Sequence, residues 1–139
     1  MNKEKLTKEV LTVILVDDNL EIREILKFIL SNHPKNNIKV IGEAENGKDG
    51  LSIIKKLLPD VTIIDISMPV MNGMDLLKKL YVLKIDTNCI MYSNNLDKEY
   101  IEFAKSYGAK AFISKDCSPQ IIVDTVINVS KGMDYLIKK

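Results

Sequence analysis

Cysteine is scarce in this chain: its 139 residues hold only Cys89 and Cys117, with no tryptophan and a single histidine. A small secreted domain held together by disulfides carries several cysteines at regular spacing, so two exclude that class. Cys89 lies in the apolar run Asn88-Cys89-Ile90-Met91-Tyr92 and reads as a small buried hydrophobe, and both thiols read as structural bystanders. The lone histidine, His33, falls at the expected end of a helix with no Cys/His cluster near it, which argues against zinc. An excess of one charge is also missing. Lys and Arg number 20 against 19 Asp and Glu, a net charge of +1, whereas partners such as nucleic acid or an anionic membrane favour a basic surplus. Tyr81, Tyr100, Tyr107 and Tyr135 are scattered and build no base-stacking platform. No apolar run approaches the ~20 residues of a membrane span. The first nine residues, Met1 to Glu9, are polar and lack the apolar core of a signal peptide. A soluble cytoplasmic protein without a membrane partner is the expectation.

What the sequence does contain is alternation. At 46% hydrophobic and 28% charged, with no repeat or low-complexity tract, it suits one globular domain. Short apolar runs rich in β-branched residues occur at Leu11–Val16, Ile38–Gly42, Val61–Asp65, Asn88–Tyr92 and Lys110–Ile113. Runs this brief and this continuous predict strands buried on both faces, as in a parallel sheet. Amphipathic segments separate them. Leu20–Ser31 sets Ile22, Ile25, Leu26 and Ile29 on one face. Asn46 caps a second helix that buries Leu51, Ile54 and Leu58 before Pro59 stops it. A third follows the Asn72-Gly73 turn with Leu76, Leu77 and Leu80. A fourth runs from Leu96 to Tyr107, turning Ile101, Phe103 and Ala104 inward, and Gly108 caps it. A fifth opens on Ser118 and Pro119, with Ile121, Ile122, Thr125, Val126 and Val129 as its stripe. Five strands alternating with five helices predict a doubly wound α/β sandwich, because each parallel crossover needs a helix.

In such a fold ligands bind beyond the carboxyl ends of the strands. Strand one ends in Asp17-Asp18-Asn19 and strand three in Asp65; strand four ends in Tyr92-Ser93-Asn94, and Ser114-Lys115-Asp116 follows strand five. Together these bring three carboxylates, a hydroxyl and an ammonium to one edge. Uncompensated, the carboxylates repel and raise one another's pKa. Mg²⁺, which takes oxygen ligands and few carboxylates, suits this set. A carboxylate beside such a cation, faced by a lysine and a hydroxyl, is also what phosphoryl transfer requires, with Asp65 as nucleophile forming an acyl phosphate. Pro69 holds Met68 extended and Asn72-Gly73 turns the chain onward; both set shape and neither has a chemical role.

Four segments in order, Ile14-Leu15-Val16-Asp17-Asp18-Asn19, Asp60 through Asp65 and Ser67-Met68-Pro69 to Gly73, then Ser93, then Gly108 through Phe112 to Lys115, closely resemble response-regulator receiver domains. The resemblance spans about residues 11–131. It implies a flavodoxin-like (CheY-like) fold with five parallel strands in the order 2-1-3-4-5. It implies that Asp65 is the phosphoacceptor, Asp18 a direct Mg²⁺ ligand, Asp17 an acid reaching the metal through water, and Ser67 a ligand through its backbone carbonyl. Ser93 and Lys115 then hold the phosphoryl group, and Phe112 is the aromatic that moves inward as Ser93 is drawn towards it. Such a domain is a phosphoacceptor that assists its own phosphorylation and dephosphorylation, and is not otherwise an enzyme.

Three residues depart from the family pattern. Phe112 stands where many members have Tyr, Asp116 where many have Pro, and Asn94 is larger and more polar than the residue usual after Ser93. A cis Lys115–Asp116 bond would cost about 3 kcal/mol, so trans is expected there. Ser93-Asn94 with Lys115-Asp116 resembles the nitrate-response (NarL/LuxR-type) subfamily, whose members usually carry a C-terminal helix-turn-helix domain. The expected division is a polar tail at 1–9, a receiver domain at 10–131 and a tail or start of linker at 132–139. The resemblance implies a sensor histidine kinase as phosphodonor, a homodimer formed on phosphorylation, and DNA reached only through a second domain that these residues do not contain. The favoured reading is the receiver part of a transcriptional regulator. The alternatives are a stand-alone CheY-like regulator and a pseudo-receiver that keeps the fold without the chemistry. A haloacid-dehalogenase-type phosphatase needs a second Asp two residues after the nucleophile, where Ser67 stands, and is set aside.

Overall fold

The computed structural model describes residues 10–32, 37–134 and 136–138, so the N-terminal tail, His33 and Tyr135 lie outside the described residues. The chain alternates β1 (Leu11–Val16), α1 (Leu20–Ser31), β2 (Ile38–Ala44), α2 (Gly47–Leu57), β3 (Val61–Asp65), α3 (Gly73–Val82), β4 (Asn88–Ser93), α4 (Lys98–Ser106), β5 (Ala111–Ser114) and α5 (Pro119–Ser130), and ends in β6 (Leu136–Lys138). All strand pairs are parallel, in the order β2-β1-β3-β4-β5-β6. The five expected strands stand in the expected order. The sixth was not expected, and it extends the sheet into residues read from sequence as tail or linker.

The continuous apolar runs are explained by the two sides of the sheet. Successive side chains of a strand point to opposite faces. Val13 and Leu15 thus join one core with Leu26, Leu30, Val126 and Val129 of α1 and α5. Ile14 and Val16 join the other with Ile54, Leu76, Leu80 and Ala104 of α2, α3 and α4. From Val13 to Val16 both sides of β1 are buried and apolar.

Local chemistry sets the helix boundaries. Asn46 and Asn72 accept the backbone N–H of Asp49 and Asp75 at 2.8 and 2.9 Å, and Ser118 caps α5 with Pro119 in its first turn. Gly108 takes φ +85°, the left-handed conformation expected after α4. Two stripe residues differ from expectation. Ile25 is 54% exposed because α1 seats through Leu26 and Leu30, which leaves Ile25 on the rim. Leu58 is 61% exposed because it forms the C-cap of α2 at φ 45°, which turns its side chain off the buried face. β2 runs two residues beyond its expected end, and a register shift opposite Val13 and Ile14 passes over Ile41.

Candidate functional site

At the carboxyl edge, β1 and β3 are neighbours, with Val16 opposite Ile64, so the residues that follow each strand emerge side by side. Asp17, Asp18 and Asp65 offer carboxylate oxygens that all lie within 4.8 Å of one another. Asp17 and Asp65 are buried, and Asp18 is exposed. Lys115 reaches in from beyond β5, its Nζ 3.2 Å from Asp17 Oδ2 and 3.1 Å from Asp65 Oδ1. The expected trans Lys115–Asp116 bond is found, and the lysine spans both acids with it.

The electrostatics are unbalanced. Burial foremost, then the charge of Asp17, pushes the Asp65 carboxyl above the ordinary carboxylate range, while Lys115 pulls the other way. Asp17 Oδ1 accepts the backbone N–H of Asn19 at 2.9 Å. Its Oδ2 is buried with no hydrogen bond among the described residues; Lys115 lies at ion-pair distance but out of hydrogen-bond geometry. A buried carboxylate oxygen without a donor is costly, and a cation that bonds to oxygen from any direction relieves it. Mg²⁺ ligands sit about 2.1 Å from the ion, so two of them are at most about 4.2 Å apart. Carboxylate oxygens that all lie within 4.8 Å of one another are close to that spacing, so the acids present fit a small hard cation.

The loop after β3 is shaped by close backbone contacts. Gly73 donates its N–H to the Ile66 carbonyl at 2.8 Å, and a Cβ at Gly73 would collide with the Asp65 carbonyl oxygen. Only glycine lets α3 start so close to the strand. Ser67 is exposed in this loop two residues beyond Asp65. Val70 takes φ 69°, a conformation that β-branched residues rarely adopt.

Ser93 is buried at the end of β4, next to β3, and its Oγ accepts the Asn95 N–H at 2.9 Å. Its carbonyl accepts the Lys115 N–H at 3.0 Å, which ties the β4 end to the lysine's backbone. Phe112 is buried on β5 among the residues of the α4 side, paired with Met91. The structure thus brings together Asp17, Asp18, Asp65 and Lys115, puts Ser93 on the neighbouring strand end, and leaves Phe112 outside the cluster.

Sequence reasoning missed Arg23 and Glu43. The guanidinium of Arg23 donates through Nη1 to the Asp17 carbonyl and through Nε to Glu43 Oε1 at 2.8 Å, and Lys27 holds the other Glu43 oxygen at 2.8 Å. These contacts pull the Glu43 carboxyl below its ordinary value although burial opposes them. Arg23 lies on the first helix turn after the acids, but its spacing does not distinguish a tether from a solvated arginine. Tyr92 was also missed. Lys115 Nζ lies 5.7 Å from its ring centre, and burial first, then nearby Cys117 and acids, pushes its hydroxyl to about 12.

A parallel doubly wound sheet with three acids and a lysine at its carboxyl edge gathers its charged groups where folds of this class bind their ligands. The sequence pattern of the response regulator receiver domain matches residues 13–127, and this chain belongs to that family. It is 30% identical over 125 residues to the nitrate/nitrite response regulator NarL of Escherichia coli strain K12, covering 90% of this chain and 57% of that protein. It is 38% identical over 121 residues to the chemotaxis protein CheY of Thermotoga maritima, covering 86% of this chain and 97% of that one. The solved signal receiver domain of a NarL response regulator from Mycobacterium tuberculosis superposes with a TM-score of 0.84 at 30% identity, covering 90% of this chain and 99% of that domain. The chain spans about half the length of the curated transcriptional regulators it matches. It is a receiver domain of two-component signalling, a signalling domain whose family binds Mg²⁺ at an acidic pocket like this one. No helix among the described residues is long and apolar enough to cross a membrane.

Proposed function

We propose that Asp65 of this chain accepts a phosphoryl group from the phosphohistidine of a sensor kinase, and that Asp17, Asp18, Asp65 and the Ser67 carbonyl hold Mg²⁺ for that step. The carrying observation is the convergence of three carboxylates within 4.8 Å, two of which, Asp17 and Asp65, are bridged by Lys115. An Asp65 carboxylate oxygen attacks phosphorus, the P–N bond to the imidazole breaks, and an acyl phosphate forms. Burial strips water from the attacking oxygen, and Lys115, already 3.1 Å away, offers an ammonium to the phosphoryl oxygens. Mg²⁺ held by these acids would supply Lewis-acid neutralisation of the phosphoryl charge. Ser93 offers its hydroxyl from the adjacent strand. Phe112, two residues before the Ser114 that pairs with Ser93, follows that hydroxyl when it shifts, and the α4–β5–α5 surface changes its partner binding with it.

The relatives' lengths support a receiver that works as part of a larger regulator reaching DNA through a following domain. The full-length match to CheY supports the alternative, a stand-alone cytoplasmic regulator. The test is incubation with Mg²⁺ and acetyl phosphate followed by intact-mass measurement. One added phosphate on wild type and none on Asp65→Asn is expected. A wild type that takes no phosphate and binds no Mg²⁺ would return the pseudo-receiver reading.

A further inference from the structure

In a five-stranded receiver sheet β5 is an edge, with unpaired N–H and C=O groups along one side. Here that side is occupied. β6 pairs in parallel with β5 in a fixed register, Ala111 with Leu136, Phe112 with Ile137 and Ile113 with Lys138. Ile137, itself 41% exposed, also lines a small apolar hollow of about 10 Å³ with Phe112, Ala104, Ala109 and Ile101. The strand adds strand pairing and one partly covered apolar side chain at the same place.

The approach of this strand is written into the end of α5. Gly132 takes φ +96°, and the Met133 N–H donates to the Asn128 carbonyl at 3.1 Å, so the helix closes in a left-handed turn that sends the chain back to the sheet. α5 ends at Ser130 and β6 begins at Leu136, a separation within the ordinary span of a helix-to-strand loop. A β5–α5–β6 crossover then lays the new strand beside β5, as the handedness of parallel crossovers requires.

We propose that the β5 edge is a strand-accepting surface and that its occupant is this chain's own residues 136–138, docked in cis and centred on Ile137. The inference goes beyond the phosphoacceptor reading and does not depend on it. An edge strand is a template for added strands, so an extended partner reaching β5 competes with a tethered segment at high effective concentration. The cover keeps Phe112 and the edge closed until something displaces it.

Amide hydrogen exchange on the full chain tests this, comparing wild type with Ile137→Pro, which removes a ladder N–H, and Gly132→Val. A side chain at Gly132 would meet no atom within 4 Å, so that variant acts through the backbone turn alone. Both variants are expected to speed exchange at Ala111–Ser114 about tenfold while the amides of β1 and β3 keep their protection. Unchanged exchange at Ala111–Ser114 in Ile137→Pro would overturn the proposal. Protection of that strand in wild type that vanishes on dilution would assign the strand to a second copy and overturn docking in cis.

Discussion

Two aspartates bracket strand β3, and they live in opposite conditions. Asp60, just before the strand, is satisfied: its Oδ2 accepts the Thr12 N–H at 2.9 Å and the Thr12 hydroxyl at 3.1 Å, while its own N–H donates to the Thr12 Oγ1 at 3.0 Å. Its carbonyl accepts both the backbone N–H and the side-chain amide of Asn88, at 3.0 and 3.1 Å, tying β1, β3 and β4 together at the amino edge. Asp65, which ends the strand, is crowded by two acids and held by one lysine. The same side chain thus fastens the sheet at one end and is kept poorly compensated at the other. Hydrogen bonds are spent on stability where no ligand comes, and withheld where one does.

The largest expected effect breaks that comparison outright. Asp65→Asn loses phosphoryl acceptance completely by intact mass, whereas Asp60→Asn accepts phosphate at a rate within about twofold of wild type. Stability moves the other way. Asp60→Ala is expected to lower unfolding free energy by about 2–3 kcal/mol in urea titration, since it removes charge-assisted hydrogen bonds and orphans their donors. Asp65→Asn is expected to raise it at neutral pH without Mg²⁺. The sign follows from proton binding: a carboxyl raised above 3.8 in the folded chain holds its proton longer than in the unfolded one, so stability falls as pH rises through the window just above that value. The gap between variant and wild type therefore opens across that window, persists to neutrality and narrows when Mg²⁺ is added, as calorimetry in acetate and neutral buffers would record.

Smaller effects sharpen the picture. Arg23→Gln frees the Asp17 carbonyl from its tie to Glu43 and is expected to weaken Mg²⁺ binding by up to about tenfold in calorimetric titration, with the fold retained. Smallest is Val70→Asn, expected to stabilise the chain by about 1 kcal/mol by relieving a left-handed valine, read from the urea midpoint.

The fold was legible where punctuation is local. Asn46, Asn72, Ser118 with Pro119, and Gly108 each act within one helical turn, and the structure keeps every one. The acids of the site were legible because a parallel sheet sends every strand end to one edge, so Asp17, Asp65 and Lys115 needed no knowledge of packing to be grouped. What failed depends on neighbours remote in sequence. Ile25 fits an apolar stripe as well as Leu26 does, and only the way α1 lies on the sheet decides which is covered. Nothing local to Asp60 signals its bonds to Thr12, 48 positions earlier. β6 has three residues, too few for any period, and only the turn at Gly132 hints at it.

Parallel topology has one further consequence. Each helix begins just past the carboxyl end of the strand before it, so the amino ends of all five, at Asn19, Asn46, Asn72, Asp97 and Ser118, open towards the edge that carries the three acids. Aligned peptide dipoles leave a partial positive charge at such ends. The molecule is therefore electrically lopsided even at a net charge of +1, its backbone leaning positive around the edge where Asp17, Asp18 and Asp65 gather negative charge.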